Sequence, residues 1–127
     1  MGVSFYDKEA QHRRLEAMFD LTTSVGVEEF LTHWEKLKTM QLDRGDYGAV
    51  DVMVDMERAI DLADLTLKQA QVIYYVCLKG YTQKEAAELL GVTQSAISQQ
   101  LASATAKIAD VFKRWAKLGE GYKERKA

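Results

Sequence analysis

The sequence predicts an all-α protein, and three observations carry that prediction. No proline occurs in 127 residues, so nothing obliges a helix interior to kink or end. Apolar residues recur three and four apart through most of the chain, the spacing of helices that bury one stripe. Residues 82–101, TQKEAAELLGVTQSAISQQL, read as two short helices meeting at a glycine. The length suits one domain's worth of core. Its expected parts are an acidic N-terminal helical region over 1–48, a region over 49–118 built around that glycine, and a flexible basic tail over 119–127.

In chain order, residues 4–21 are expected to be helical, with Phe5, Leu15, Met18 and Phe19 on one side. His12 has only Glu9 and Glu16 at helical spacing, and the chain has neither HExxH nor a cysteine pair. A solvated histidine is therefore expected, not a metal ligand. Thr22, Thr23 and Ser24 can cap a helix over 27–40, whose stripe is Val27, Phe30, Leu31, Trp34, Leu37 and Met40. At that spacing Trp34 belongs to the core, rather than to a binding platform shared with His33. Residues 41–48, QLDRGDYG, hold two glycines and two aspartates and are expected to form the main loop.

A long helix should follow over 49–64, with Ala49, Met53, Met56, Ile60 and Ala63 inward and Asp51, Asp55, Arg58 and Asp61 on a solvated face. Those carboxylates converge with no histidine or second segment, so neither a metal site nor an acid–base pair is expected. Thr66 caps the next helix, over 67–78, with Leu67, Ala70, Ile73, Tyr74, Cys77 and Leu78 inward and Tyr75 outward; Lys79, Gly80 and Tyr81 close it. Cys77 is the single cysteine and lies in an apolar run, which fits a small buried hydrophobe in a reducing cytoplasm. No apolar run approaches the roughly 18 residues of a membrane span, and the N-terminus lacks the pattern of a secretory signal, so a soluble cytoplasmic protein is expected.

Thr82 then caps a helix with Ala86, Ala87, Leu89 and Leu90 as its apolar positions, and Gly91 supplies the positive φ that ends it. Val92 is expected to pack inward, and Thr93 to cap a second helix from Gln94. The small residue at Ala87, with Leu90, Val92, Ile97 and Leu101, suits the close crossing of a helix-turn-helix, and helix 67–78 supplies the third member of a trihelical unit. Ile97, Leu101, Ala104, Ile108, Val111 or Phe112, and Trp115 extend one stripe with no glycine or proline as far as Leu118. The last helix should therefore be a single rod, ~33 Å from Gln94 to Trp115. Its outer part can pack on the front helices or on the second subunit of a homodimer, and the sequence leaves those two open.

The run GVTQSAISQQL resembles the recognition half of the helix-turn-helix in phage repressors of the Cro type. With LTLKQAQVIYYVCLKGYTQKEAAELL before it, residues 65–115 are similar to region 4 of the sigma-70 family of transcription initiation factors and its phage-encoded, sigma-like relatives. The resemblance implies that LT at 65–66 opens a supporting helix, TQKEAAELL is the positioning helix and QSAISQQL starts the recognition helix. Sigma factors, repressors, activators and small terminase subunits share this fold, so it does not by itself assign a role.

Gln94, Ser95, Ser98 and Gln99 lie beside or opposite Ile97 and Leu101 and are the expected base readers, since glutamine can pair twice with adenine and serine serves either base edges or phosphate. Thr82, Gln83, Lys84 and Thr93, at the starts of the two helices, and Lys107 farther along are the expected phosphate contacts. Sigma region 4 domains usually present arginine or lysine outward here; this chain presents QSxxSQQxxS.

Charge is unevenly spread. Residues 1–65 hold 7 basic and 14 acidic side chains, residues 66–127 hold 10 basic and 5 acidic, and the whole is −2. That division suits DNA contact through the back half. The function expected is a duplex-DNA-binding transcriptional regulator of phage or bacterial type, with RNA polymerase or a sigma factor as a further partner of the acidic front. The alternatives are a small terminase-like packaging subunit and a sigma-mimicking interaction module that needs no DNA. No phosphate loop, HExxH or nucleophile elbow is present, so no enzyme, catalytic residue, metal or cofactor is expected.

Overall fold

A computed structural model describes residues 19–44 and 47–118 of the chain. They form helices α1 (Ser24–Thr32), α2 (Trp34–Arg44), α3 (Tyr47–Ala63), α4 (Leu67–Val72, running directly into a π-helical segment, Ile73–Leu78), α5 (Gln83–Leu90) and α6 (Gln94–Lys117). No strand occurs among the described residues. The all-α prediction holds, including the long unbroken last helix.

The chain enters α1 through a tight turn at Asp20. The Asp20 carboxylate accepts from the Thr22 N–H at 3.1 Å and hydroxyl at 2.6 Å, and its backbone carbonyl accepts from the Thr23 hydroxyl at 2.8 Å. The two bonds from Thr22, hydroxyl first and then N–H, hold the exposed Asp20 carboxyl below its usual range. Thr23 caps α1 by accepting from the Gly26 N–H at 3.0 Å. Gly26 lies so close to the turn that any Cβ would overlap the Asp20 carbonyl. Most of the helix predicted over 4–21 lies outside the described residues, while Phe19 and Leu21 are buried in this turn and not helical.

The single helix expected over 27–40 is two, broken at His33. The Thr32 hydroxyl bonds back to the Glu28 carbonyl at 2.8 Å, and His33 Nδ1 lies 2.7 Å from the Glu29 carbonyl oxygen. Such side-chain bonds compete with the helical ladder. Of the loop expected over 41–48, residues 41–44 belong to α2 and residues 47–48 to α3; only Gly45 and Asp46 lie outside the described residues. Counting glycine and aspartate overstated that loop, because Gln41, Leu42 and Arg44 are all good helix formers.

Two further corrections concern polar residues that the periodicity discounted. Asp55, assigned to a solvated face of α3, is buried beside Val52, Met56 and Ala59, whereas Arg58 and Asp61 on the same helix are exposed. In α4 the buried side is Gln69, Val72, Ile73 and Cys77; Leu67 is 75% exposed, Ala70 is exposed and Tyr74 is 46% exposed. Tyr75, expected outward, is half-buried against the core.

Gln69 completes a capping box with Thr66: its Oε1 accepts from the Thr66 N–H at 3.0 Å, and the Thr66 hydroxyl accepts from the Gln69 N–H at 3.2 Å. The same Oε1 accepts from Lys107 Nζ on α6 at 2.9 Å, so this buried amide ties two helices together.

Helix α6 is the shared partner of the fold and packs against α1, α3, α4 and α5; α2 rests on α3 and α1. One hydrophobic core therefore runs from Phe19 and Phe30 through Met56 to Ile97, Ile108 and Trp115. Within the chain, the outer stripe of α6 is covered by the front helices: Ile108, Val111, Phe112 and Trp115 are all buried. Cys77 is buried as expected, and burial, with Glu28 nearby, pushes its thiol up from 9.0 to about 12 despite a hydrogen bond with Thr32. No helix among the described residues is long and apolar enough to cross a membrane.

Candidate nucleic-acid interface

The interface is built from two helix starts and the turn between them. At α5, the Thr82 hydroxyl accepts from the Glu85 N–H at 3.1 Å, and Glu85 Oε1 accepts from the Thr82 N–H at 2.9 Å. The helix ends at Gly91, where φ is 70° and the backbone N–H bonds to the Ala87 carbonyl, the left-handed ending the sequence implied. Ala86 and Ala87 are buried, so α5 lies close against α6. Thr93 then starts α6, its hydroxyl accepting from the Ala96 N–H at 3.0 Å. Val92 does not pack fully inward as expected: it remains 38% exposed, and Leu89, on the side of α5 away from the buried Ala86 and Ala87, is 57% exposed.

The four expected base readers stand on the open side of α6. Gln94, Ser95, Ser98 and Gln99 are all exposed, while Ile97 and Leu101 are buried beneath them. At roughly 100° per residue, Ser95 and Gln99 point almost directly away from the buried stripe, and Gln94 and Ser98 flank it on one side. Gln94 and Gln99 are separated by ~7.5 Å along the axis, the rise of about two base pairs. From Gln94 to Ala106 the helix carries no charge. Its outward chemistry is that of neutral hydrogen-bond donors and acceptors.

The expected phosphate contacts separate into two groups. Thr82, Lys84 and Thr93 are exposed and Gln83 is half-exposed, all at the two helix starts. The Thr82 and Thr93 hydroxyls each accept one cap bond, which leaves their own O–H groups, the first-turn N–H groups not used in the caps and the Lys84 ammonium to meet an anion. Lys107 is elsewhere. It lies ~20 Å along α6 from Gln94, half-buried, and holds Gln69.

Beside the recognition turn lies a small cleft of about 90 Å³ that the sequence did not indicate, lined by Val72, Leu90 and Ile97 with Lys68, Gln71 and Gln100. Its residues come from three helices, so no local spacing marks it. Among the described residues no group of histidine, cysteine and carboxylate side chains could hold a metal ion.

Comparison with known proteins places this geometry. Residues 62–110 match the family model described as "Sigma-70, region 4". The match spans the end of α3, all of α4 and α5, and α6 as far as Asp110, and so includes every expected DNA-contacting residue. No curated protein and no solved structure matches the chain.

Proposed function

Residues 62–110 are a sigma-70 region 4-like helix-turn-helix, a DNA-binding module, and from that premise we propose that the chain is a sequence-reading transcriptional regulator of phage or bacterial type. In this role α6 enters the major groove with Gln94, Ser95, Ser98 and Gln99 at base edges. The starts of α5 and α6, with Lys84, hold the phosphates on either side. The acidic front half, α1 to α3, is the surface offered to RNA polymerase or a sigma factor. The observation that carries the proposal is that all four readers are exposed on a helix whose other side is anchored in the core.

The test begins with selection of bound duplexes from a random pool, followed by affinities for the recovered site and for an unrelated duplex. Replacing Gln94 and Gln99 with alanine should cost about 1–3 kcal/mol of discrimination per lost bidentate contact while leaving the unrelated duplex nearly unaffected. Equal loss on both duplexes would remove base reading from the proposal.

One observation favours a second reading, a module that binds polymerase or a sigma factor without DNA: no basic residue lies on the first three turns of α6. Introducing glutamate at Gln94 and Gln99 separates the two. Partner binding survives that change in the second reading, and DNA binding does not survive it in the first.

A further inference from the structure

Away from α6 the surface carries a row of aromatic rings. Tyr74 and Tyr75 have ring centroids 5.1 Å apart, and Tyr75 and Tyr81 6.0 Å apart. The middle ring is half-buried against the core and fixes the other two, of which Tyr74 is 46% and Tyr81 38% exposed. The backbone holds the row in place: the Lys79 N–H donates to the Tyr74 carbonyl at 2.9 Å, and the Tyr81 N–H donates to the Tyr75 carbonyl at 3.0 Å. Lys79 Nζ stands 5.8 Å from the centre of the Tyr74 ring.

The row leads to the candidate interface. Tyr81 immediately precedes Thr82, the cap of α5, and Lys84 is exposed one turn farther on. The carboxylate at this helix start, Glu85, is turned back onto the Thr82 N–H. Part-exposed aromatic rings beside lysines and a phosphate-favouring helix start are the ingredients of a platform on which unpaired bases stack, because every base has a π-face and its backbone needs a cation. Packing explains Tyr75; it does not explain why two further rings flank it in water. A protein partner could use exposed rings as well, but the exposed charged neighbours named here, Lys79 over the Tyr74 ring and Lys84 on the first turn of α5, are cations beside a helix start that favours phosphate.

We propose that Tyr74 and Tyr81, with Lys79 and Lys84, stack one or two unpaired bases of a strand that leaves the duplex read by α6. This rests on the duplex-reading role proposed above.

Anisotropy of the full chain with a fluorescein-labelled duplex from the selection tests it, comparing a blunt duplex with one carrying a four-nucleotide thymine extension at either end. The extension should tighten binding by roughly five- to hundredfold. Tyr74→Ala with Tyr81→Ala should lose that gain while binding the blunt duplex as the unchanged chain does, and Tyr74→Phe with Tyr81→Phe should keep it. An abasic extension of equal length preserves the charge and removes the rings' partners, so an equal gain from it overturns the proposal without any variant. No gain from any extension, or a gain that survives the alanine pair, overturns it as well. If no duplex binds, only the role of α6 is lost; unattached oligothymidine then tests the platform, which stands if the unchanged chain binds it and the alanine pair does not, and falls if neither binds.

Discussion

At the scale of single residues, Gly26 has no room for any side chain. Its hydrogen sits where a methyl group would overlap the Asp20 carbonyl oxygen, and the overlap is with backbone, which cannot swing away. Gly26→Ala should cost about 1–3 kcal/mol, read as a lower urea midpoint. Cys77 gives a prediction in pH. Its folded thiol is raised from 9.0 to about 12, so the stability it contributes is present in full below pH 9 and is lost between pH 9 and 12, at about 1.4 kcal/mol per unit, as the unfolded chain releases its proton first. The stability of the unchanged chain should therefore fall relative to Cys77→Ala across that window. At neutral pH a thiol reagent should label Cys77 only as fast as the protein unfolds. Asp20, lowered in pKa, has the opposite sign: its contribution is present above its ordinary 3.8 and lost as pH falls below that value.

Among the helices, what was legible in the sequence followed from rules that act over a few neighbouring residues. Thr66, Thr82 and Thr93 each cap the helix that follows them, and Gly91 takes the positive φ that ends α5. What was not legible depended on residues far apart. Gln69, a polar residue, had no place on the expected inner face, yet a partner 38 positions away, Lys107, makes its burial tolerable. Discounting Gln69 turned the predicted inner face of α4 toward Leu67 and Ala70. Lys107 was assigned to phosphate for the same reason, since nothing local shows its bond to Gln69. Gln69→Leu keeps the volume but loses the cap reciprocity and strands the lysine. It should cost about 1–3 kcal/mol in thermal or urea unfolding, with Lys107→Met in the same background restoring part of the loss. The exposure of Gln94, Ser95, Ser98 and Gln99 was legible because helical spacing alone places them beside or opposite Ile97 and Leu101. The tyrosine row was not, because the π-helical turn over Ile73–Leu78 shifts Tyr74 and Tyr75 away from α-helical spacing.

For the whole molecule, the front half and the helix-turn-helix share one core through α6. Removing residues 1–65 would uncover Ile108, Val111, Phe112 and Trp115. The remaining chain should unfold without a cooperative transition or self-associate, as seen in its melting curve and in sedimentation. Charge also belongs to this scale. With no charge on α6 from Gln94 to Ala106 and few lysines around it, the slope of log affinity against log salt in the proposed role should be only about −1 to −2, far shallower than a basic recognition helix would give.

Helix α6 has no glycine, proline or break between the turn and its last residue. A rod of that kind acts as a lever about 36 Å long. A protein that grips the C-terminal end, where Arg114 and Lys117 lie, and tips the rod by about 10° displaces the far tip by ~6 Å, nearly two base-pair steps. Engagement at one end is thus transmitted to the other as a change of register, with no loop in between to absorb it.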